Sequence, residues 1–269
     1  MTRVHTTDFL DQLGVPVIPP STSPFDPGYD PATVIAHLEQ SSHLMSTLKI
    51  SMASWIVADE DCTRRKLGAA QSFNVPTVAG GTPFEIALAE GKLVGYLDLC
   101  AAMGLTRIEC GEGFTHELPN PTEIMKMTGE RGLEVQIELG KKHGGTFTTD
   151  TTAELVERGR EWLDAGALQV VIEARESARG VGVFDPEGNF NPAFADPFAE
   201  AFGLDTVVYE APTKSSQFSF LDHFGREVQL CNVRLEELLR VEIYRRRLHS
   251  DAYAKMPSLA QSEDERFPR

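Results

Sequence analysis

LQVVIEARESARG (residues 168–180) drives a β-branched apolar run into Glu173 and then into a loop rich in cations and glycine. The same junction occurs three more times, in TRIEC (106–110) at Glu109, LEVQIEL (133–139) at Glu138 and TVVYEA (206–211) at Glu210. Short apolar runs that end in a turn are the pattern of strands buried on both faces, and such strands belong to parallel sheets. Working outward, STLKIS (46–51), VPTVAG (75–80) and EVQLCNV (227–233) read as further strands, and GVPVIP (14–19) supplies an eighth at the front. Helical periodicity fills the intervals, at about 31–41, 60–73, 84–103, 121–131, 151–165, 192–202, 214–224 and 234–248. Eight such units in 269 residues predict an α/β fold, a (β/α)8 TIM barrel, with an open doubly wound sheet as the alternative that periodicity leaves open.

Cap signals support the count. Asp150 opens one helix as a capping residue, Gly166 closes it, and Gly104 and Gly132 repeat the handover from helix through glycine to strand. Residues 1–254 are expected to form a single barrel domain. PPSTSPFDPGYD (19–30) is expected as a long loop after strand one at the catalytic end, and 255–269 as a polar tail.

A net charge of −15 argues against a nucleic-acid partner, because phosphate backbones need a basic surface. Arg245, Arg246 and Arg247 are the one basic run, placed where a helix C-terminus welcomes cations. No apolar run approaches the roughly 18 residues of a membrane span, and MTRVHTTDFLDQLG at the front lacks the apolar core of a signal peptide. A cytoplasmic protein without a membrane partner is expected. Cys62, Cys100, Cys110 and Cys231 are scattered and read as reduced thiols.

In a β/α barrel the C-terminal ends of the strands face one side, and that rule gathers Lys49, Ser51, Gly80, Gly81, Glu109, Glu138, Glu173, Glu210 and Asn232 around one mouth. Clustered carboxylates repel one another unless a cation or a proton compensates. Glu109, Glu138 and Glu173 are therefore expected to hold a hard, oxygen-liganded ion, Mg2+, unless some of them pair with Arg107 or Arg175 instead. The loops that follow carry Lys141, Lys142, His143, Arg175, Ser177, Arg179, Lys214 and Ser215, a chemistry suited to oxyanions such as phosphate. Arg175, Ser177, Lys214, Ser215, Gly80 and Gly81 are the expected substrate-binding set, with Lys141, Lys49 and Glu210 as catalytic groups. His143 reads as a solvated loop residue.

AGGTPFEIALAEGK (79–92), IELGKK (137–142), DAGALQVVIEARESARGVGVFD (164–185) and YEAPTKSSQ (209–217), in that order, resemble the phosphosulfolactate synthase family from about residue 48 to 250. The resemblance implies a (β/α)8 barrel and Mg2+-dependent addition of sulfite to phosphoenolpyruvate on the route to coenzyme M. It also implies active-site roles for Glu138, Lys141, Glu173, Arg175, Glu210 and Lys214, with Lys141 as the acid that protonates C2. The front departs from the family pattern. An Asp-Lys-Gly type loop after strand one and Lys-Phe-Gly-Trp-Gly-Thr at strand two are replaced by VIPPSTSPFDPGYD and LKISMASW, of which Lys49 matches, while Met52 and Trp55 would reshape one wall of the pocket. The partner implied is a phosphorylated carboxylate, with sulfite. Related lyase chemistry on another enol phosphate or carboxylate, and a non-catalytic, stress-related barrel, are the other readings; self-association through outer helices is expected without a fixed number.

Overall fold

The computed structural model describes residues 5–115 and 120–255. Eight parallel strands form a closed barrel in chain order, β1 (Thr22–Asp26), β2 (Leu48–Ile50), β3 (Thr77–Ala79), β4 (Arg107–Gly111), β5 (Glu134–Leu139), β6 (Gln169–Ile172), β7 (Val207–Glu210) and β8 (Gln229–Arg234), and β8 pairs with β1. Early helices are α1 (Thr6–Gln12), α2 (Pro31–Ser41), α3 (Ser54–Val57), α4 (Glu60–Ser72), α5 (Gly81–Ala89) and α6 (Leu93–Met103). Later ones are α7 (Pro121–Gly129), α8 (Thr149–Ala165), α9 (Pro192–Phe202), α10 (Lys214–Phe224), α11 (Leu238–Arg245) and α12 (Ser250–Tyr253). The TIM barrel expected from the strand pattern is the fold, and the open sheet is excluded by the β8–β1 pairing.

Strand one is not where the sequence pattern put it. GVPVIP leaves Val17 almost fully exposed, and β1 lies further on, inside the stretch expected as a loop. Proline explains the shift: Pro16, Pro19 and Pro20 lack the amide donors a closed barrel needs. The strand tolerates Pro24 because its register with β8 slips between Ser23 and Pro24, a bulge where no ladder bond is lost. The helix expected over 84–103 is two, α5 and α6, broken where Gly91 takes a left-handed φ of 64°. Thr148, not Asp150, caps α8 by accepting from the Thr151 amide, while Gly104 and Gly166 close α6 and α8 in the left-handed conformation as expected. The tail expected over 255–269 lies, beyond Lys255, outside the described residues.

Alternation along the strands divides two interiors. Outward residues such as Ile108, Ile137, Ile172 and Tyr209 pack under the helices with Trp162, Phe84 and Phe198 to form the main apolar core. Inside the barrel, Val171, Val208 and Cys231 make only a small apolar cluster. Below it the lining is polar: Arg107 donates to Gln169 (2.9 Å), Gln169 donates to Gln229 (2.8 Å), and Arg107 pairs with Glu134 (2.9 Å). At the β8–β1 seam Arg245 donates to Val228 O (2.8 Å) and Thr22 Oγ1 (3.0 Å) while Glu242 pairs with Arg245 and Arg246, so the basic run serves closure. The four cysteines are free thiols, and no helix among the described residues is long and apolar enough to cross a membrane.

The new position of β1 reveals a carboxylate at its end. Asp26 is fully buried, accepts from the Gly28 and Tyr29 amides (2.8 and 2.6 Å) and pairs with Lys66 of α4 at 2.7 Å. Removing one partner strands the other charge, so Asp26→Ala is expected to cost about 3–5 kcal/mol, whereas Asp26→Leu with Lys66→Met should recover most of it. Chemical denaturation followed by circular dichroism checks both; a single variant as stable as the wild type would show that the pair contributes nothing.

Candidate active site

Four strand ends deliver carboxylates to the mouth at two depths. Glu109 lies beside Gln136 in the register, one inward step below the level shared by Gly111 and Glu138; Glu210 ends β7 and Glu173 follows β6 directly. All four are buried, each at 2% exposure or less. Two lysines meet them. Lys49 of β2 places Nζ 2.7 Å from Glu109, 3.8 Å from Glu210 and 4.0 Å from Glu138. Lys142 spans Glu138 (2.6 Å) and Glu173 (2.8 Å).

Backbone donors complete the frame. The Gly81 amide at the start of α5 donates to Glu109 Oε1 (3.0 Å), and Gln136 donates to Oε2 (2.8 Å). Arg175 sits at a φ of 57°, which turns its amide onto Glu173 (2.6 Å) and Glu210 (3.1 Å), and the Ala174 amide also donates to Glu210 (2.8 Å). Asn232, another left-handed residue, donates its side-chain amide to Glu210. Residues rarely adopt this conformation without cause, and here both bring a donor to a carboxylate.

Charge does not balance within the cluster: four carboxylates face two ammonium groups. Burial opposes the charge on Lys142 and Lys49, but the surrounding glutamates outweigh it and hold both well above the ordinary lysine value. Burial would also raise Glu138, yet Lys142 and Lys49 hold it down at about 2. Glu210 goes the other way, pushed well up by burial and by Glu173 and Glu138. Burial and Glu138 raise Glu173 as well.

The expected residues fall into four groups. Lys49, Glu109, Glu138, Glu173 and Glu210 come together as anticipated. Gly80 and Gly81 are beside them in a supporting role, since a methyl group on Gly80 would crowd the Met52 amide at 3.0 Å and the Gly81 amide is already given to Glu109. Arg175 and Ser177 line a polar cleft of about 460 Å3 with Lys142, His143 and Arg179, and Arg175 Nη1 reaches Lys142 O and His143.

Three expected residues lie elsewhere. Lys141 is exposed and its neighbour Lys142 occupies the mouth, because the left-handed Gly140 breaks the strand alternation that would have counted Lys141 inward. Lys214 turns outward from the first turn of α10 to Asp251 (3.3 Å), and Ser215 lines a separate depression with Asp222 and His223. The α10 N-terminus carries its own capping box, in which the Ser216 amide donates to Thr213 Oγ1 and the Thr213 amide to Ser216 Oγ. Trp55 is likewise no pocket wall, being buried against Tyr96. Arg107, weighed as a partner of the strand-end glutamates, pairs with Glu134. Asp26 was legible in DPG once β1 was placed; nothing in the sequence distinguished Lys142 from Lys141.

The carboxylate oxygens gathered here are hard donors, the kind that Mg2+ takes. Of the expected set Glu109, Glu138 and Glu173, Glu109 is already held by Lys49, the Gly81 amide and Gln136, so that Glu138 and Glu173, with Glu210, are the residues that would hold such an ion; as the side chains stand, no three acidic, His or Cys groups among the described residues are placed to hold one.

A family model described as (2R)-phospho-3-sulfolactate synthase (ComA) matches residues 20–251. The chain is 31% identical over 235 residues to a phosphosulfolactate synthase of Methanocaldococcus jannaschii, covering 86% of this chain and 92% of that protein. A phosphosulfolactate synthase of Methanothermobacter thermautotrophicus is 30% identical over 236 residues, covering 87% and 92%. Among solved structures, a deoxyribose phosphate aldolase from Aeropyrum pernix superposes with a TM-score of 0.56 at 15% identity, covering 90% of this chain and 98% of that one, a likeness of fold alone.

The raised Glu210 predicts a pH effect with a definite sign. A carboxyl raised in the folded state takes up a proton on folding, so its stabilising share is full below the ordinary value of 4.5 and is lost as pH climbs through the raised value. In chelator-treated protein, the melting temperature of Glu210→Gln relative to the wild type is therefore expected to improve as pH rises above the ordinary carboxylate value of 4.5. A difference that stays flat above that value would mean that Glu210 ionises as an ordinary carboxylate.

Proposed function

The chain belongs to the (2R)-phospho-3-sulfolactate synthase family, and on that premise we propose that it adds sulfite to phosphoenolpyruvate, with Mg2+, to give (2R)-phospho-3-sulfolactate. The observation that carries this reading is Lys142, an ammonium group spanning Glu138 and Glu173 beside the cleft of Arg175. The reaction needs a proton donor, a cationic lining and a place for a phosphate, and these three lie side by side.

Sulfite brings its sulfur lone pair to C3 and forms the C–S bond. The π electrons of the C2=C3 bond move through C2 onto the carboxylate, and a proton must then reach C2. Mg2+, when bound, would supply positive charge to the carboxylate that collects this density. Lys142 is the acid in this proposal, in the place first expected for Lys141. Glu138 and Glu173 hold its ammonium well above the ordinary lysine value, so it becomes an acid when a ligand draws those two carboxylates away, and its stem rises from the loop after β5 so that Nζ lies at the mouth. Lys49 keeps Glu109 and Glu210 from repelling the incoming anion. Arg175 and Arg179, with Ser177, offer donors to the phosphate or to sulfite along the cleft.

Met52 and Trp55 do not disturb this chemistry. Trp55 is packed away, and Met52, half exposed, sits at the rim beside Gly80. The small-molecule site is reached from one side of the barrel, as in other enzymes of this fold.

Purified protein incubated with Mg2+, phosphoenolpyruvate and sulfite should form phosphosulfolactate, followed by phosphorus NMR and mass spectrometry; no product with all three present sinks the proposal. Lys142→Met is expected to lower kcat by about 10²–10⁴, the usual contribution of a positioned acid, while Lys141→Met keeps wild-type turnover. The reverse pattern would return the role to Lys141.

A further inference from the structure

Glu85 belongs to no part of the site described above, yet it is fully buried at the mouth. It lies one turn into α5, after the Gly81 amide that holds Glu109, and Oε2 accepts from the Phe114 and Thr115 amides (3.0 and 3.3 Å) in the loop after β4. Its Oε1 has no hydrogen-bond partner among the described residues. Buried carboxylate oxygens are seldom left without a donor, so this one has room to accept a donor that the described residues do not give it as they stand.

Two glycines let Glu85 reach this position. Gly111 faces inward at the end of β4, in step with Arg107 and Glu109 and beside Glu138. A methyl group on Gly111 would lie 2.5 Å from Glu85 Oε1, so the carboxylate enters the mouth through the space that Gly111 leaves empty. A methyl group on Gly113 would lie 3.4 Å from the same oxygen and 2.9 and 3.1 Å from Cγ and Cε of Lys142. Glu85 Oε1 and the stem of Lys142 therefore share the space over Gly113, and the Lys142 amide donates to Gly113 O (2.9 Å), tying the two loops together.

We propose that Glu85 is the second partner of Lys142, a positioning residue that receives the ammonium when a ligand engages Glu138 and Glu173 and steadies it over the substrate. The role over substrate rests on the reaction proposed above. Lys142 is suited to such a move, because its side chain is 22% exposed where that of Lys49 is 6%. An ammonium leaving two carboxylates inside a protein needs another anion to meet it, and among the described residues Glu85 is a buried carboxylate beside Lys142 with an oxygen that has no partner.

Glu85→Gln keeps an oxygen for the Phe114 and Thr115 amides and removes the charge. It is expected to lower kcat about 10- to 100-fold, part of what a positioned acid contributes, with KM for phosphoenolpyruvate and the melting temperature unchanged. Unchanged kcat, or a loss that follows a fall in melting temperature, reduces Glu85 to an anchor of the loop and overturns the proposal. A crystal structure of the Glu138→Gln, Glu173→Gln double variant tests the position without turnover. Lys142 Nζ within hydrogen-bond distance of Glu85 Oε1 is the expected result; Nζ still between residues 138 and 173, or turned to solvent, overturns it. If the wild type forms no phosphosulfolactate, the reaction fails, and the crystallographic result alone decides whether Glu85 partners Lys142.

Discussion

Four strand-borne carboxylates, with Glu85 beside them, share the mouth of one barrel with two ammonium groups, and the surrounding structure is arranged to make that tolerable. Buried like charges at this spacing would drive one another to protonate or drive the barrel apart. Lys49 answers from β2 and Lys142 from the loop after β5, so each ammonium touches more than one strand and the charges alternate across the mouth. What these two leave uncompensated is the capacity to accept a proton or a divalent ion. The reactivity of the site follows from this imbalance, since a fully neutralised cluster would have nothing to offer a substrate.

Backbone geometry supports this arrangement at a few positions. Gly81 brings the α5 amide onto Glu109, and the left-handed backbone at Arg175 brings another onto Glu173 and Glu210. Gly111 and Gly113 leave the room in which Glu85 and the stem of Lys142 lie side by side. A side chain at Gly111 would collide with the Glu85 carboxylate, and one at Gly113 with the stem of Lys142. The polar lining further down, from Arg107 through Gln169 to Gln229, keeps the strands in register with few apolar contacts inside the barrel. Cohesion comes from outside, where the helices bury the large apolar core.

Much of this was legible before any coordinates. Apolar runs ending in glutamate mark Glu109, Glu138, Glu173 and Glu210, because a buried strand must be apolar while its end need not be. The failures have physical causes too. GVPVIP has the hydrophobicity of a strand but not the amide donors, and TSPFD has a proline that only a bulge accommodates. Lys214 and Ser215 follow a strand end in the sequence but turn to Asp251 of α12 and to the depression with Asp222 and His223. Lys141 and Lys142 differ by one residue in the chain and by the whole width of a wall in space.

By itself the sequence determined the fold class, the eight-unit order and the acidic character of the mouth, because hydrophobic periodicity and helix caps act over a few residues and survive without context. Only the tertiary structure decided which charged groups meet. Asp26 finds Lys66 across 40 residues, Glu173 finds Lys142 across 31, and Glu85 enters a space left by Gly111 on another element. Such pairings depend on a left-handed residue, a bulge or a missing side chain that rotates one group inward and its neighbour out. Chain position carries no record of that rotation until the barrel has closed.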